Sequence, residues 1–81
     1  MRTSSNLKIG LGEAIKKARS ALGISQEELA KRSGLHRTYV SDIERGARNP
    51  TVGSIQKIAQ ALQVPVAKLF EVAANGDRST K

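Results

Sequence analysis

The sequence predicts an all-α domain, and three observations lead to this fold class. Apolar residues recur at three- and four-residue intervals in five successive segments, the spacing that lines one face of an α-helix. No segment alternates β-branched and polar residues as a half-buried strand does. Glycine, proline or a hydroxyl residue separates the segments, as expected at helix ends. We therefore expect a compact domain of five helices.

The first predicted helix covers residues 11–22 and ends at Gly23, because glycine adopts the left-handed conformation that terminates helices without a Cβ penalty. Its apolar face consists of Leu11, Ile15, Ala18 and Leu22. Residues 1–6 and 75–81 are polar and aperiodic, and we expect both segments to be flexible. The domain itself is therefore expected over residues 7–74.

The second and third predicted helices are short and are joined by a tight turn at Gly34. Helix two is expected over 26–33, because Ser25 and Glu28 have capping-box spacing, in which each side chain caps a backbone N–H of the other residue. Helix three is expected over 37–45. Their shared interior would be formed by Leu29, Leu35, Val40 and Ile43. This pattern predicts a helix-turn-helix, which places its second helix in the DNA major groove. The alternative is a helix pair broken by glycine whose polar face is only solvated.

The last two predicted helices follow a loop that contains Asn49-Pro50. Thr51 is suited to cap helix four, whose apolar stripe consists of Ile55, Ile58, Ala59 and Leu62. Pro65 suits the start of helix five, expected over 66–73, because its fixed φ matches the first helical turn.

Composition favours a nucleic-acid partner. Fourteen Lys and Arg against seven Asp and Glu give a formal net charge of +7 and a pI near 10.4, the sign expected of a protein that binds polyanions. Tyr39 and Phe70 are the only aromatic residues, too few for the RNA and single-strand binding modes that stack several bases on rings. Duplex DNA is therefore the expected partner.

Catalysis, a metal, a cofactor and a membrane are not expected. His36 is the only histidine, cysteine is absent, and no cluster of acidic residues and histidine has metal-ligand or nucleophile–base spacing. No apolar run is long enough to span a bilayer, and the N-terminus lacks the apolar centre of a signal peptide. These features predict a non-enzymatic protein of the cytoplasm, associated with the nucleoid.

A family resemblance extends over residues 9–73. It is carried by the stretch from Gln26 to Arg45, by Leu22-Gly23-Ile24-Ser25 before it and by Ile58-Ala59-Gln60-Ala61-Leu62 after it. These residues resemble the phage repressor, Cro and Xre family of helix-turn-helix regulators. The string Arg37-Thr38-Tyr39-Val40-Ser41-Asp42-Ile43-Glu44-Arg45-Gly46, followed by Arg48-Asn49, is similar to controller proteins of bacterial restriction-modification systems.

This resemblance implies a lambda-repressor-like fold and a sequence-specific transcriptional regulator. Such a regulator acts as a homodimer on a palindromic or pseudopalindromic operator, and a controller also regulates its own promoter. One recognition helix covers only a few base pairs, so two half-sites about one helical turn apart are needed for useful affinity. The implied partners are double-stranded DNA and a second copy of the chain, with RNA polymerase as a further contact if the protein activates transcription.

The resemblance and the side-chain chemistry together assign nine residues to DNA. The expected base contacts are Arg37, Thr38, Ser41, Asp42 and Arg48, and the expected backbone contacts are Gln26, Tyr39, Arg45 and Asn49. Arginine can bind guanine O6 and N7 through two hydrogen bonds, and threonine can offer thymine both a hydroxyl and a methyl group. Alternatives stay open at four positions: Gln26 can be a surface glutamine without a DNA contact, Asp42 can pair with a neighbouring arginine, Tyr39 can mainly pack, and Arg48 can bind phosphate.

Six residues are assigned to structure or assembly. Arg19 and Glu44 match a family ion pair that joins helices one and three. The expected dimer interface consists of Val66, Leu69, Phe70 and Val72. As an alternative, Leu69 and Phe70 close helix five onto helix four.

Two other functions fit the same residues. One is a helix-turn-helix antitoxin, whose exposed surface neutralises a toxin chain. The other is a protein-interaction module that keeps the fold without base-specific binding. The basic charge and the Arg37-Thr38 pair favour DNA recognition over the interaction module.

Overall fold

The computed structural model describes the backbone of residues 4–78 and the side chains of residues 7–74. Five helices are present in this part of the chain, and no strand is: α1 (Ser4–Leu22), α2 (Gln26–Ser33), α3 (Arg37–Glu44), α4 (Val52–Leu62) and α5 (Val66–Arg78). The predicted all-α, five-helix fold is confirmed. No helix within residues 4–78 has the combined length and apolar character needed to cross a bilayer.

Both terminal helices are longer than predicted. α1 begins at Ser4 rather than near residue 11, and α5 continues beyond its expected end to Arg78. An apolar stripe marks only the buried stretch of a helix, and residues beyond it extend the helix because each added residue gains a backbone hydrogen bond after nucleation. Helical backbone therefore enters both segments expected to be flexible, 1–6 and 75–81, whose outermost three residues lie outside the described part.

The turn between α2 and α3 forms as predicted, and the cap of α2 forms in part. Gly34 has φ 75°, and its backbone N–H bonds carbonyl oxygens of the last turn of α2. The Ser25 hydroxyl accepts a hydrogen bond from the Glu28 backbone N–H at 3.0 Å. The Glu28 carboxylate accepts from Arg32 Nε at 2.7 Å, so it is turned along the helix instead of back toward Ser25. The reciprocal half of the capping box is therefore replaced by an ion pair.

α4 has a predicted start and an unpredicted end. The Thr51 hydroxyl caps the helix by accepting from the Ser54 backbone N–H at 3.0 Å. The helix ends at Gln63, which takes a left-handed conformation with φ 63° although it has a Cβ. The chain then turns directly into α5.

The core is a single apolar cluster to which all five helices contribute. Its largest fully buried side chains are Ile15, Leu29, Val40, Ile43, Ile58 and Leu69. α1 packs along α5 and across α3, while α2 packs against α3 and α4. Each such side chain contributes about 1.5–3 kcal/mol through burial, so this cluster is what holds the helix-turn-helix rigid.

One expected dimer-interface residue is part of this core. Leu69 is 1% exposed, because its face of α5 lies over the other helices, and it is therefore removed from the interface. Phe70, the next residue, is 37% exposed and points outward. Val66 and Val72 are partly buried against the edge of the core.

A close crossing joins α1 to the end of α3. A Cβ added at Gly12 would lie 2.8 Å from the Glu44 carbonyl oxygen and closer still to that of Ile43, distances that real Cβ atoms do not adopt. The absence of a side chain at this position lets the two backbones touch. The contact places the middle of α1 against the last turn of the second helix of the helix-turn-helix.

Candidate nucleic-acid interface

The exposed face of α3 carries most of the residues predicted to contact bases. Arg37 and Thr38 in its first turn are exposed, and Ser41 and Asp42 lie one turn further along and are half-buried. Residues four apart on a helix share a face, so these four side chains form two adjacent rows. Val40 and Ile43 on the opposite side are buried and anchor the helix in the core.

The start of α3 is electrostatically positive. His36 occupies the N-cap but makes no side-chain capping hydrogen bond, and the first turn contains no acidic residue. The backbone N–H groups and the helix dipole therefore add to the charge of Arg37 at this end. The arrangement suits hydrogen-bond acceptors and anions, which are the groups that DNA presents in its grooves and along its backbone.

A buried ion pair fixes α3 to α1. Arg19 donates from Nε to Glu44 Oε2 at 2.7 Å and from Nη2 to Glu44 Oε1 at 3.1 Å. The Glu44 side chain is 2% exposed and that of Arg19 is 14% exposed. Arg19 Nη1 also donates to the Ile24 carbonyl oxygen at 2.9 Å. The hydrogen bond to Glu44 raises the pKa of the Arg19 guanidinium, and burial opposes this rise. The structure thus brings Arg19 and Glu44 together as a two-bond contact between helices.

Gln26 is attached to the same ion pair. Its Nε2 donates to Glu44 Oε1 at 2.9 Å, so one amide N–H of this first residue of α2 is engaged inside the protein. The side chain is half-buried, and its amide nitrogen carries a second N–H. The start of α2 is therefore positioned by the end of α3, a connection that the sequence did not predict.

Four residues at the other side of the α3 terminus form what we call the Asp42 cluster: Tyr39, Asp42, Arg45 and Arg48. Asp42 Oδ1 accepts from Arg45 Nη2, and Asp42 Oδ2 lies 3.8 Å from Arg48 Nε. The Arg48 guanidinium carbon lies 5.2 Å from the centre of the Tyr39 ring, within the range of a cation–π contact. Asp42 therefore pairs with neighbouring arginines, the alternative that the sequence left open.

Tyr39 links the cluster to α4. Its ring packs against the core, and its hydroxyl accepts from the Thr51 backbone N–H at 3.4 Å. The pKa of the phenol lies below its usual range, mainly because of the Ser54 hydroxyl, with Thr51 and Arg48 adding and burial opposing. Packing is thus the main observed role of this tyrosine, while its proposed backbone contact stays a prediction.

Asn49 directly follows Arg48 in the chain, but its neighbours differ from those of the Asp42 cluster. It is exposed and lines an open groove of about 300 Å³ whose apolar walls include Leu7, Leu11 and Phe70. The groove lies between the first part of α1, α5 and the loop before α4. The structure therefore associates Asn49 with the outer side of α5 rather than with the Asp42 cluster.

Sequence reasoning missed two contributors to this interface. Gly12 permits the α1–α3 crossing, and an isolated glycine inside an apolar helical pattern was the signal that could have indicated it. Thr51 donates from its backbone N–H to the Tyr39 hydroxyl as well as capping α4, and no local pattern marks that second role. Within residues 7–74, no group of three or more His, Asp and Glu side chains is placed to hold a metal ion.

Comparisons with known proteins agree with this architecture. A family model described as helix-turn-helix matches residues 15–69. Control protein C.BamHI from Bacillus amyloliquefaciens is 39% identical over 79 residues, 96% of this chain and 98% of that protein.

Two solved structures extend the comparison. The restriction-modification controller protein C.AhdI from Aeromonas hydrophila superposes with a TM-score of 0.75 and 44% identity, covering 76% of this chain and 94% of that one. The controller C.Esp1396I, solved as a tetramer with its natural 35-base-pair operator, superposes with a TM-score of 0.81 and 39% identity, covering 89% and 95%.

Proposed function

This chain belongs to the helix-turn-helix family, and we propose that it acts as a homodimeric, sequence-specific regulator of transcription, of the restriction-modification controller type. The observation that carries the proposal is the outer face of α3. Exposed Arg37 and Thr38 stand at an uncapped, positive helix end. The same helix is anchored by buried Val40 and Ile43, so the face is presented rigidly.

The contacts divide into base recognition and backbone positioning. Arg37, Thr38, Ser41 and Arg48 are the proposed base contacts, because their exposed or half-exposed hydrogen-bonding groups lie on one face of α3 or in the loop after it. Gln26, Tyr39, Arg45 and Asn49 are the proposed backbone contacts. Phosphate contacts set the register of the protein on DNA, and the base contacts supply the sequence preference.

A dimer is part of the proposal because one α3 covers only a few base pairs, and two half-sites require two copies related by a twofold axis. Phe70 at 37% exposure, with half-buried Val66 and Val72, is the proposed interface on α5. The operator-bound tetramer of C.Esp1396I supports assembly on DNA.

We further propose that the protein regulates its own promoter. The proposed location is the cytoplasm, in association with the nucleoid, and RNA polymerase is a proposed further partner if the bound protein activates transcription. The proposal includes no catalytic activity, metal or cofactor.

The DNA-binding part is tested by selecting bound duplexes from a random pool and titrating the selected duplex and a scrambled control at two salt concentrations. We expect enrichment of a twofold-related site and loss of the preference with Arg37→Ala. Lys17→Ala is the matched control, since it removes one exposed cation from α1. Salt-sensitive binding without any enriched sequence would contradict the proposal, because phosphate contacts alone give that result.

The dimer is tested by sedimentation of the wild-type protein and of Phe70→Ser. We expect concentration-dependent association that weakens in the variant. Leu22→Ser is the control, because Leu22 at the end of α1 is 38% exposed, nearly the same as Phe70 at 37%. Equal weakening by both variants, or a wild-type monomer throughout, would count against the α5 interface.

A further inference from the structure

Asp42 stands on the DNA-facing side of α3, yet its carboxylate is already engaged. Oδ1 accepts from Arg45 Nη2, and Oδ2 lies 3.8 Å from Arg48 Nε. The Asp42 side chain is 20% exposed, whereas those of Arg45 and Arg48 are 63% and 57% exposed. The acid is therefore covered by two cations that themselves reach into solvent.

In this arrangement the two arginines offset the negative charge of Asp42, and the carboxylate in turn holds them in place. A free carboxylate facing the phosphates of DNA would be repelled, but flanked by two arginines it leaves a local charge of +1. An exposed arginine has many rotamers, and fixing it on binding costs conformational entropy. Contact with Asp42 before DNA arrives reduces the freedom that Arg48 loses on binding.

The geometry leaves the recognition edge of Arg48 available. Its contact with Asp42 is through Nε, and the guanidinium group has two further nitrogens with four N–H donors. Guanine O6 and N7 accept two parallel hydrogen bonds of the kind that this edge can donate. The Tyr39 ring, 5.2 Å from the guanidinium carbon, restricts the same group from a second direction.

The ring is itself held in place. The Tyr39 hydroxyl accepts from the Thr51 backbone N–H at 3.4 Å, and the ring packs against the core. Arg48 lies in the loop between α3 and α4, so it has no helix of its own to orient it. The orientation of its guanidinium group depends on Asp42 and Tyr39, which belong to α3.

We infer that Asp42 is a positioning residue for base recognition: it does not read a base itself, but orients Arg48 so that the free edge of the guanidinium group meets the major groove. The inference rests on the proposed DNA-binding function and names the residue that sets the precision of one of its base contacts. Asp42 is therefore not proposed as a base contact, although the sequence indicated it as one.

The test is a double-mutant cycle read out as the ratio of affinities for the selected operator and a scrambled duplex. The full-length wild type, Asp42→Asn, Arg48→Ala and the double variant are titrated at one salt concentration. Glu13→Gln controls for the charge change, because it removes one exposed carboxylate from α1. Thermal melting of each variant establishes that it is folded.

We expect Arg48→Ala to lower the affinity ratio by about tenfold, within the range for loss of a two-bond arginine–guanine contact. Asp42→Asn should lower the ratio by about three- to fivefold, which is part of the loss caused by Arg48→Ala. The decrease should come from weaker binding to the operator, while scrambled DNA is bound equally or more tightly. In the Arg48→Ala background, Asp42→Asn should change the ratio by less than about twofold. Glu13→Gln should leave the ratio unchanged.

Several results would overturn the inference. Equal effects of Asp42→Asn with and without Arg48 would mean that Asp42 does not act through Arg48. An unchanged ratio, or equal weakening on both duplexes together with a lowered melting temperature, would show no positioning role. A wild type that binds both duplexes equally would overturn the proposed function itself, which distinguishes the two failures.

A second variant controls for the loss of the whole side chain in Arg48→Ala. Arg48→Lys keeps the charge but lacks the planar group that can bind guanine through two bonds and stack on a ring. Asp42→Asn should again change the affinity ratio by less than about twofold in that background. A larger effect would show that Asp42 acts on something other than the Arg48 guanidinium group.

Discussion

Two ion-pair clusters flank the last turn of α3, and they differ in burial rather than in chemistry. Arg19 and Glu44 on one side form a two-bond contact whose carboxylate is 2% exposed. Asp42 on the other side pairs with Arg45 and Arg48, whose side chains are more than half exposed. Asp42 and Glu44 are two residues apart, which on a helix rotates their side chains by about 200°.

Because of this difference in burial, one helix is both anchored in the core and able to present arginine side chains to a partner. An uncompensated charge costs little free energy at the surface, where water solvates it, and several kcal/mol when buried. The buried cluster therefore maintains the position of α3, while the arginines of the Asp42 cluster keep exposed N–H groups with which they can bind DNA. Substitutions in the first should lower stability, and substitutions in the second should change recognition.

The largest expected effect is that of Arg19→Ala. It leaves the Glu44 carboxylate buried with Gln26 as its remaining side-chain donor, and we expect the free energy of unfolding to fall by about 3–5 kcal/mol. Urea and thermal unfolding measure this loss. Lys17→Ala on the same helix is the control, and an equal decrease in melting temperature for both variants would contradict the structural role.

Gly12→Ala should have the next largest effect. Its Cβ would press on the Ile43 and Glu44 carbonyl oxygens and push α1 away from α3, at a cost of about 1–3 kcal/mol. Gly53→Ala is the matched control, because a Cβ there meets only Thr51 Oγ1 at 3.9 Å, and the change should raise stability by up to about 1 kcal/mol. Unfolding curves that place Gly12→Ala at or above wild-type stability would refute the close crossing.

Gln26→Ala tests a residue that bonds to the buried cluster and is also a proposed phosphate contact. Loss of its bond to Glu44 should lower stability by about 1 kcal/mol. DNA affinity should fall equally on the operator and the scrambled duplex, with an unchanged salt dependence, because glutamine carries no charge. A selective loss of operator affinity would instead assign base recognition to Gln26.

Glu28→Gln should have the smallest effect. Arg32 lowers the pKa of the Glu28 carboxylate by hydrogen bonding to it, but both side chains are well exposed. A lowered pKa in the folded state adds stability that is complete above the ordinary value of 4.5 and is lost as the pH falls through the folded value. Thermal melts should show a slight destabilisation at pH 7 that disappears in acid; a difference that grows toward low pH would reverse the sign.

Local sequence signals predicted the five helices, the turn at Gly34, the caps at Ser25 and Thr51, and the exposed face that begins with Arg37. These features depend on residues within one or two helical turns of each other. Apolar periodicity, a capping hydroxyl or a glycine after the last turn expresses that local requirement directly.

Other features depend on residues that are distant in the chain, and they became visible only in the packed structure. Leu69 is buried and Phe70 is exposed because α5 is covered on one side only, and Asp42 pairs with Arg48 because the loop after α3 folds back over it. Gln26 binds Glu44 across 18 positions of the chain. Periodicity shows that a helix has an apolar face, but the position of the neighbouring helices determines which side chains that face buries and which charges meet.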